Sequence, residues 1–301
     1  MRGSLLVAVA VAACSSPADH AQPDGAPPGD DAPPGDAPPG AACLGAKPDA
    51  TNTGVPAGVT LTQVTDDVTV TTDGAVIDAQ DIHGFLRIQA SHVTVSRSIV
   101  RGAATTATTA IIRIDSGTDI TITDTEVAAA APSVDLDGVW ASGATLTRLH
   151  VHGGVDGMKL GDDTRVECSF VHDLISFASD PNQGGGPTHN DAIQILAGAR
   201  IAIAGNQLVA ARDQNAAIQV TQDFGAVSEL SIAGNWADGG GCTFNLSHKG
   251  GASLAVTTRD NRFGRDSFFA CPILKSTQTT LDSMGDVFDD DGSPVPVQTH
   301  D

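Results

Sequence analysis

Short stretches of alternating apolar and polar residues recur along this chain at a spacing that few folds can use. Seven of them can be laid one upon another: Phe85-Leu86-Arg87-Ile88, Ile111-Ile112-Arg113-Ile114, Gly138-Val139-Trp140-Ala141, Gly157-Met158-Lys159-Leu160, Ala192-Ile193-Gln194-Ile195, Ala217-Ile218-Gln219-Val220 and Thr243-Phe244-Asn245-Leu246. Their third residues are separated by 26, 27, 19, 35, 25 and 26 positions. The alternation within each has the period of two of a half-buried strand. A second set follows the first, beginning at His92, Asp119, Ala144, Thr164, Ala199, Glu229 and Ser253. A strand-turn-strand unit of about 25 residues cannot bury its apolar face alone, but it can by stacking on copies of itself. The expected architecture is an all-β, single-domain parallel β-solenoid of about eight rungs. At about 4.8 Å per rung this makes a rod of roughly 40 Å.

Composition excludes the helical alternatives. Of 36 acidic residues only Glu126, Glu167 and Glu229 are Glu, while Gly numbers 33 and Lys four. Asp and Gly favour turns and Glu and Lys favour helix, so a bundle or coiled coil is ruled out. After the later strands comes an Asn: Asn206 in IAGNQL, Asn235 in IAGNWA and Asn261 in TRDNRF. Recurrent Asn at one turn predicts side-chain amides stacked rung upon rung at a left-handed bend.

The segments NTGVPAGVTLT, AVIDAQDIHGFLRIQASHVTVSRSIVRG, DGMKLGDDTRVECSFVHDL and THNDAIQILAGARIAIAGNQL resemble the secreted right-handed parallel β-helix proteins of the pectate-lyase-like superfamily. The resemblance covers roughly Cys43 to Phe288 and implies a right-handed parallel β-helix over 46–288. It implies no single activity, because that superfamily includes lyases, glycoside hydrolases, epimerases, adhesins and phage tailspikes.

The chain opens with Arg2 and an apolar run, Leu5–Ala13, too short to span a bilayer. Residues 1–13 read as a signal peptide, and Val11-Ala12-Ala13-Cys14-Ser15 resembles a bacterial lipobox in which Cys14 receives lipid. That implies an exported outer-membrane or cell-surface lipoprotein touching membrane only through its anchor; ordinary secretion is the alternative. Residues 14–45, rich in Pro, Gly and Asp, read as a disordered tether, and glycines at 25, 29, 35 and 40 lack collagen's period of three. Residues 289–301 read as an acidic tail. Among the remaining cysteines no spacing suggests zinc, and Cys242–Cys271 is the favoured disulfide because its separation is close to one repeat.

Stacking arranges side chains in columns. The outward column of the first strand set runs Arg87, Arg113, Trp140, Lys159, Gln194, Gln219, Asn245, a surface suited to a hydroxyl-rich or acidic polymer and equally an ordinary solvated face. Just before these strands, Asp137, Asp156 and Asp191 fall on successive rungs about 5 Å apart, where like charges must recruit a cation or hold a proton. Calcium suits such a site, and hydrogen bonds from turn N–H groups are the other reading. His152 and His172 align on adjacent rungs near this edge, and His189 precedes Asp191 by two positions. The interruption ISFASDPNQGGGPT reads as a mobile loop overhanging it. The candidate catalytic residues are therefore Lys159, His189 and Asp191. The substrate-binding candidates are Arg113, Trp140, Gln194, Gln219, His172 and Lys249. The metal candidates are Asp137, Asp156 and Asp191.

The net charge of −20, with no basic run to offset it, argues against nucleic acid. Residues 1–45 carry −4 and residues 286–301 carry −5, which leaves −11 on the body. The partner expected is a polysaccharide or cell-surface glycan, bound by a monomer. A lyase that eliminates across a uronic-acid polymer, with Lys159 or His189 as a base of lowered pKa, is the first expectation. A non-catalytic glycan-binding or structural β-helix and a glycoside hydrolase are the alternatives.

Overall fold

Every turn of the chain lays down three short strands. The computed structural model describes residues 43, 46–212, 214–247 and 253–300. Sheet B begins with Thr62–Val64, sheet A with Val68–Val70 and sheet C with Val76–Asp78, and the chain then repeats the cycle. Sheets A and B have ten strands each and sheet C nine, and each strand pairs in parallel with the equivalent strand one turn away. This is a parallel β-helix. The cysteine, tether and signal assignments at residues 1–42, including Cys14, lie outside the described residues, as do His248 and Lys249.

The two strand sets legible in the sequence are sheets A and C. Sheet B escaped notice because its strands are two or three residues long and each turns one apolar residue inward, among them Val127, Val151, Val171, Leu208 and Phe263. The helix is also longer than eight rungs. Val68–Val70 precedes the seven aligned strands of sheet A, and Ile273–Ser276 and Val297–His300 follow them. The last of these corrects the reading of residues 289–301 as a tail: Val297–His300 pairs with Ile273–Ser276, although all four residues are exposed. Its exposure explains why no inward alternation marked it.

The core is a set of columns. In sheet A, Leu86, Ile112, Val139, Met158, Ile193, Ile218, Phe244 and Ile273 stack at one inward position, all of them fully buried. Each such side chain contributes about 1.5–3 kcal/mol relative to exposure, so the apolar columns dominate the stability of the rod.

Between sheets C and B the corner is closed by polar groups. Asn206, Asn235 and Asn261 are wholly buried and form the expected ladder. The amide oxygen of Asn235 accepts from the backbone N–H of Asn206 at 2.9 Å and from its Nδ2 at 3.0 Å, while Asn235 Nδ2 donates to Ile203 O and to Asn261 Oδ1. Asp286 ends the ladder by accepting from Asn261, and Ser169 begins it by donating its N–H to Asn206 Oδ1. The left-handed residue is not the Asn, as the sequence suggested, but its predecessor: Gly205, Gly234 and Asp260 have φ of 65°, 63° and 53°. The bend thereby aims the amide along the rod axis.

Two disulfides brace the rod. Cys242–Cys271 forms as expected, and Cys43–Cys168 ties the start of the described chain to a central rung 125 residues away. No helix among the described residues is long and apolar enough to cross a membrane.

Replacing Asn235 with Ala orphans several buried groups at once, each worth about 1–3 kcal/mol. Asn235→Ala is expected to lower unfolding stability by about 3 kcal/mol or more, whereas Asn182→Ala on an exposed turn changes it by about 0.5 kcal/mol or less; urea denaturation followed by circular dichroism measures both.

Candidate active and binding site

The outward column of sheet A is in register as the repeat predicts. Arg87 opposes Arg113, Arg113 opposes Trp140, and the line continues through Lys159, Gln194, Gln219 and Asn245. Above it lie two adjoining clefts of about 610 Å³ each. One is lined by Asp137, Asp156, Lys159, His189, Gln194, Asn215, Gln219 and Asn245 among others, the second by Arg113, Trp140, Lys159, Leu160, Gln194 and Phe224. Thr108, Lys159 and Gln194 belong to both, so the two make one groove running along the column.

The three aspartates stand where the repeat places them, at successive positions beneath this groove. Asp137, Asp156 and Asp191 are 4, 3 and 0% exposed. Two of them accept the backbone N–H of the next aspartate in the column: Asp156 N donates to Asp137 Oδ1 at 3.1 Å, Asp191 N to Asp156 Oδ1 at 2.8 Å. The reading as turn chemistry is thus correct for one oxygen of each of these two residues. Their other oxygens hold Lys159, whose Nζ lies 2.7 Å from Asp137 Oδ2 and 3.0 Å from Asp156 Oδ2. Trp140 Nε1 also donates to Asp137 Oδ2 at 2.7 Å. Asp191 is held by amides instead, Gln194 Nε2 at 3.0 Å and Asn215 Nδ2 at 2.9 Å.

This geometry corrects two expectations. The calcium expected among Asp137, Asp156 and Asp191 does not fit, because the Lys159 ammonium stands between the first two carboxylates and amide N–H groups saturate the third. Nor is Lys159 a base of lowered pKa. Burial opposes its charge, but the carboxylates of Asp156 and Asp137 outweigh burial and hold the ammonium above its ordinary range. Asp191, expected as catalytic, lies under the floor of the groove and does not line it.

Three like charges at rung spacing meet one cation, and the excess is met by protons. Burial first, and the neighbouring Asp137 charge second, push Asp156 up to about 7. Burial, then the Asp156 charge, raise Asp191 well above the carboxylate range.

The expected overhanging loop is present, and it is tied down rather than free. Asp180 caps a 3-10 turn at Pro181–Gln183, Asp180 N bonds Gly186 O, and Thr188 N bonds Phe177 O. At its foot Asn190, fully buried, donates to Val155 O and Ile175 O. Asp180, Asn182, Gln183 and exposed His189 reach the groove. Asn190 and Asn215 were not recognised from sequence, although they fall at one position of the repeat on adjacent rungs, each four residues before Gln194 or Gln219.

His152 and His172 are on adjacent rungs, as aligned, but on sheet B, and neither lines the groove. They turn outward from a different face of the rod, which removes His172 from the substrate-binding set. Two carbonyl oxygens of residues that line the groove, Gln219 Oε1 and Asn245 Oδ1, are themselves buried and have no hydrogen-bond partner among the described residues. Comparison of the chain with family models finds no match, and comparisons with curated proteins and with solved structures find none. The fold class therefore rests on the parallel three-sheet architecture itself.

The proton on Asp156 has a signed consequence. Unfolded, an Asp titrates at about 3.9, and in the fold Asp156 does so at about 7. The native state binds the extra proton between these values, so this contribution to stability is complete below the lower one and lost as pH rises through the upper. Asp156→Asn keeps the neutral form at every pH. The urea midpoint of the parent is expected to fall relative to that of the variant between about pH 4 and pH 8, and parallel curves would contradict the assignment.

Proposed function

We propose that the outward groove of sheet A binds a neutral, hydroxyl-rich polysaccharide chain, the protein acting as an exported glycan-binding β-helix. The observation that carries the reading is the lining of the groove, which sets Trp140 in line with the amides of Gln194, Gln219 and Asn245. Amide side chains both donate to and accept from hydroxyls, so such a column suits a hydroxyl-rich chain. Trp140 is fixed for ring contact by its bond to Asp137, with Arg113 and Lys159 cations 5.9 and 5.4 Å from its ring centroid.

Charge favours a neutral polymer over a polyuronate. Lys159 is neutralised by two carboxylates and Arg113 pairs with Asp115, while Asp180 also lines the groove. A lyase needs a cation for the substrate carboxylate and a free base. Among the described lining residues Lys159 and Arg113 are committed to carboxylates and His189 is the base that remains, so β-elimination is the weaker reading of this site. The catalytic alternative supported by an observation is acid catalysis by Asp156, whose pKa near 7 leaves it partly protonated at neutral pH. Export is supported by the two disulfides, which form in oxidising compartments, and the lipobox-like sequence at Cys14 adds a lipid anchor to the same proposal.

Calorimetric titration with neutral β-glucan, xylan and mannan oligosaccharides, and with pectate and alginate for contrast, tests this. Trp140→Ala is expected to weaken binding about tenfold or more. Gln219→Met should weaken it about 3- to 10-fold while stabilising the free protein by about 1 kcal/mol, because it removes an orphaned acceptor. Binding confined to polyuronates, with unsaturated product absorbing at 235 nm, would reject the reading in favour of the lyase.

A further inference from the structure

On sheet B three neighbouring strands, Glu126–Ala128, His150–His152 and Phe170–His172, turn Val127, Val151 and Val171 into the core. The residues on either side of each valine therefore face outward. Register sets His150 between Glu126 and Phe170, and His152 beside His172. The ligating atoms of Glu126, His150 and His152 all lie within 4.8 Å of one another. His152 Nε2 is 3.2 Å from Glu126 Oε1, and His150 Nε2 is 2.7 Å from His172 Nε2. The remaining nitrogen of His172, Nδ1, is 2.8 Å from Asp173 Oδ2.

Four features distinguish this from a solvated patch. The imidazoles of His150 and His152 and the Glu126 carboxylate converge within one ion's reach. His150 and His172 bring ring nitrogens to hydrogen-bond distance, which extends the cluster to a third imidazole. The Asp173–His172 contact fixes the tautomer that leaves Nε2 with its lone pair directed at the cluster, as carboxylates behind metal-bound histidines do. Finally, Gly54 packs over the cluster so closely that a Cβ there would meet His150 Cβ at 2.9 Å.

We propose that Glu126, His150, His152 and His172 form a binding site for a divalent transition-metal ion of the zinc class, separate from the sheet A groove. Imidazole-rich donor sets select such ions over calcium and magnesium. Zinc–nitrogen bonds of about 2.0–2.1 Å in a tetrahedron set ligand atoms roughly 3.3 Å apart. The Glu126–His152 contact already has that spacing, and the His150–His172 pair reaches it by a small ring rotation. The histidines and the glutamate come from three successive rungs, so the ion cross-links turns of the solenoid. Asp173 is a positioning residue that acts through His172.

The test is calorimetric titration of the chelator-treated full chain with Zn²⁺, and absorption spectroscopy with Co²⁺. One saturable site per chain and a Co²⁺ spectrum of low-coordinate nitrogen–oxygen ligation are expected. His150→Ala and His152→Ala should each weaken Zn²⁺ about 100-fold or more, and Glu126→Gln and Asp173→Asn about 10- to 100-fold, with circular dichroism of the metal-free variants unchanged. Zn²⁺ is also expected to raise the melting temperature of the parent and not that of the double variant His150→Ala/His152→Ala. Absence of saturable binding overturns the proposal, as does parental affinity in the double variant, which would place the ion on other histidines.

Discussion

Strict in-register stacking is the constraint on which the rest of this structure depends. Each strand is hydrogen-bonded to its counterpart one turn before and one turn after, so every side chain has a neighbour of equivalent position about 4.8 Å above and below it. For apolar residues this is favourable without further condition, and Leu86 through Ile273 form a continuous buried column. For polar residues it demands self-complementary chemistry. Asn meets the demand because one amide both donates and accepts, which is why Asn206, Asn235 and Asn261 can repeat in full burial. Where the column ends, a residue that only accepts suffices, and Asp286 takes that place.

Aspartate does not repeat so easily, and its column is where the regularity of the rod becomes chemistry. Asp137 and Asp156 are reconciled by an ammonium between them, Asp156 and Asp191 by protons, and Asp191 further by the amides of Gln194 and Asn215. The consequence reaches the groove above. Lys159 is drawn down onto the carboxylates, and Trp140 is anchored through its N–H beside a line of amides. A face that reads in sequence as basic residues for an acidic polymer has, once pairings are made, Arg113 and Lys159 bonded to carboxylates, which supports the proposed neutral partner.

Much of this was legible in the chain. The column Arg113, Trp140, Lys159, Gln194, Gln219, Asn245 follows from aligning the repeats and is reproduced in register by sheet A, because a solenoid converts sequence period directly into position. The Asp column and the Asn ladder were legible for the same reason. What was not legible lacks either period or length. Sheet B strands contribute one inward residue each, too few to establish alternation, so the sequence alone does not place His152 and His172 on sheet B beside Glu126 and His150. Val297–His300 is exposed throughout and carried no apolar signal. The sequence also names charged residues without their partners: that Lys159 would be neutralised, and Asp191 buried under the groove floor, depends on side-chain directions that no spacing encodes.

The central claim is that the in-register column of sheet A is a sugar-binding surface. A crystal structure of the protein soaked with a neutral oligosaccharide that it binds tests this most directly. The account predicts a chain of sugar rings lying along Trp140, Lys159, Gln194 and Gln219, with hydroxyls bonded to the side-chain amides of that column. Sugar bound to sheet C, to the sheet B histidines or at the ends of the rod, with the sheet A groove empty, would contradict it.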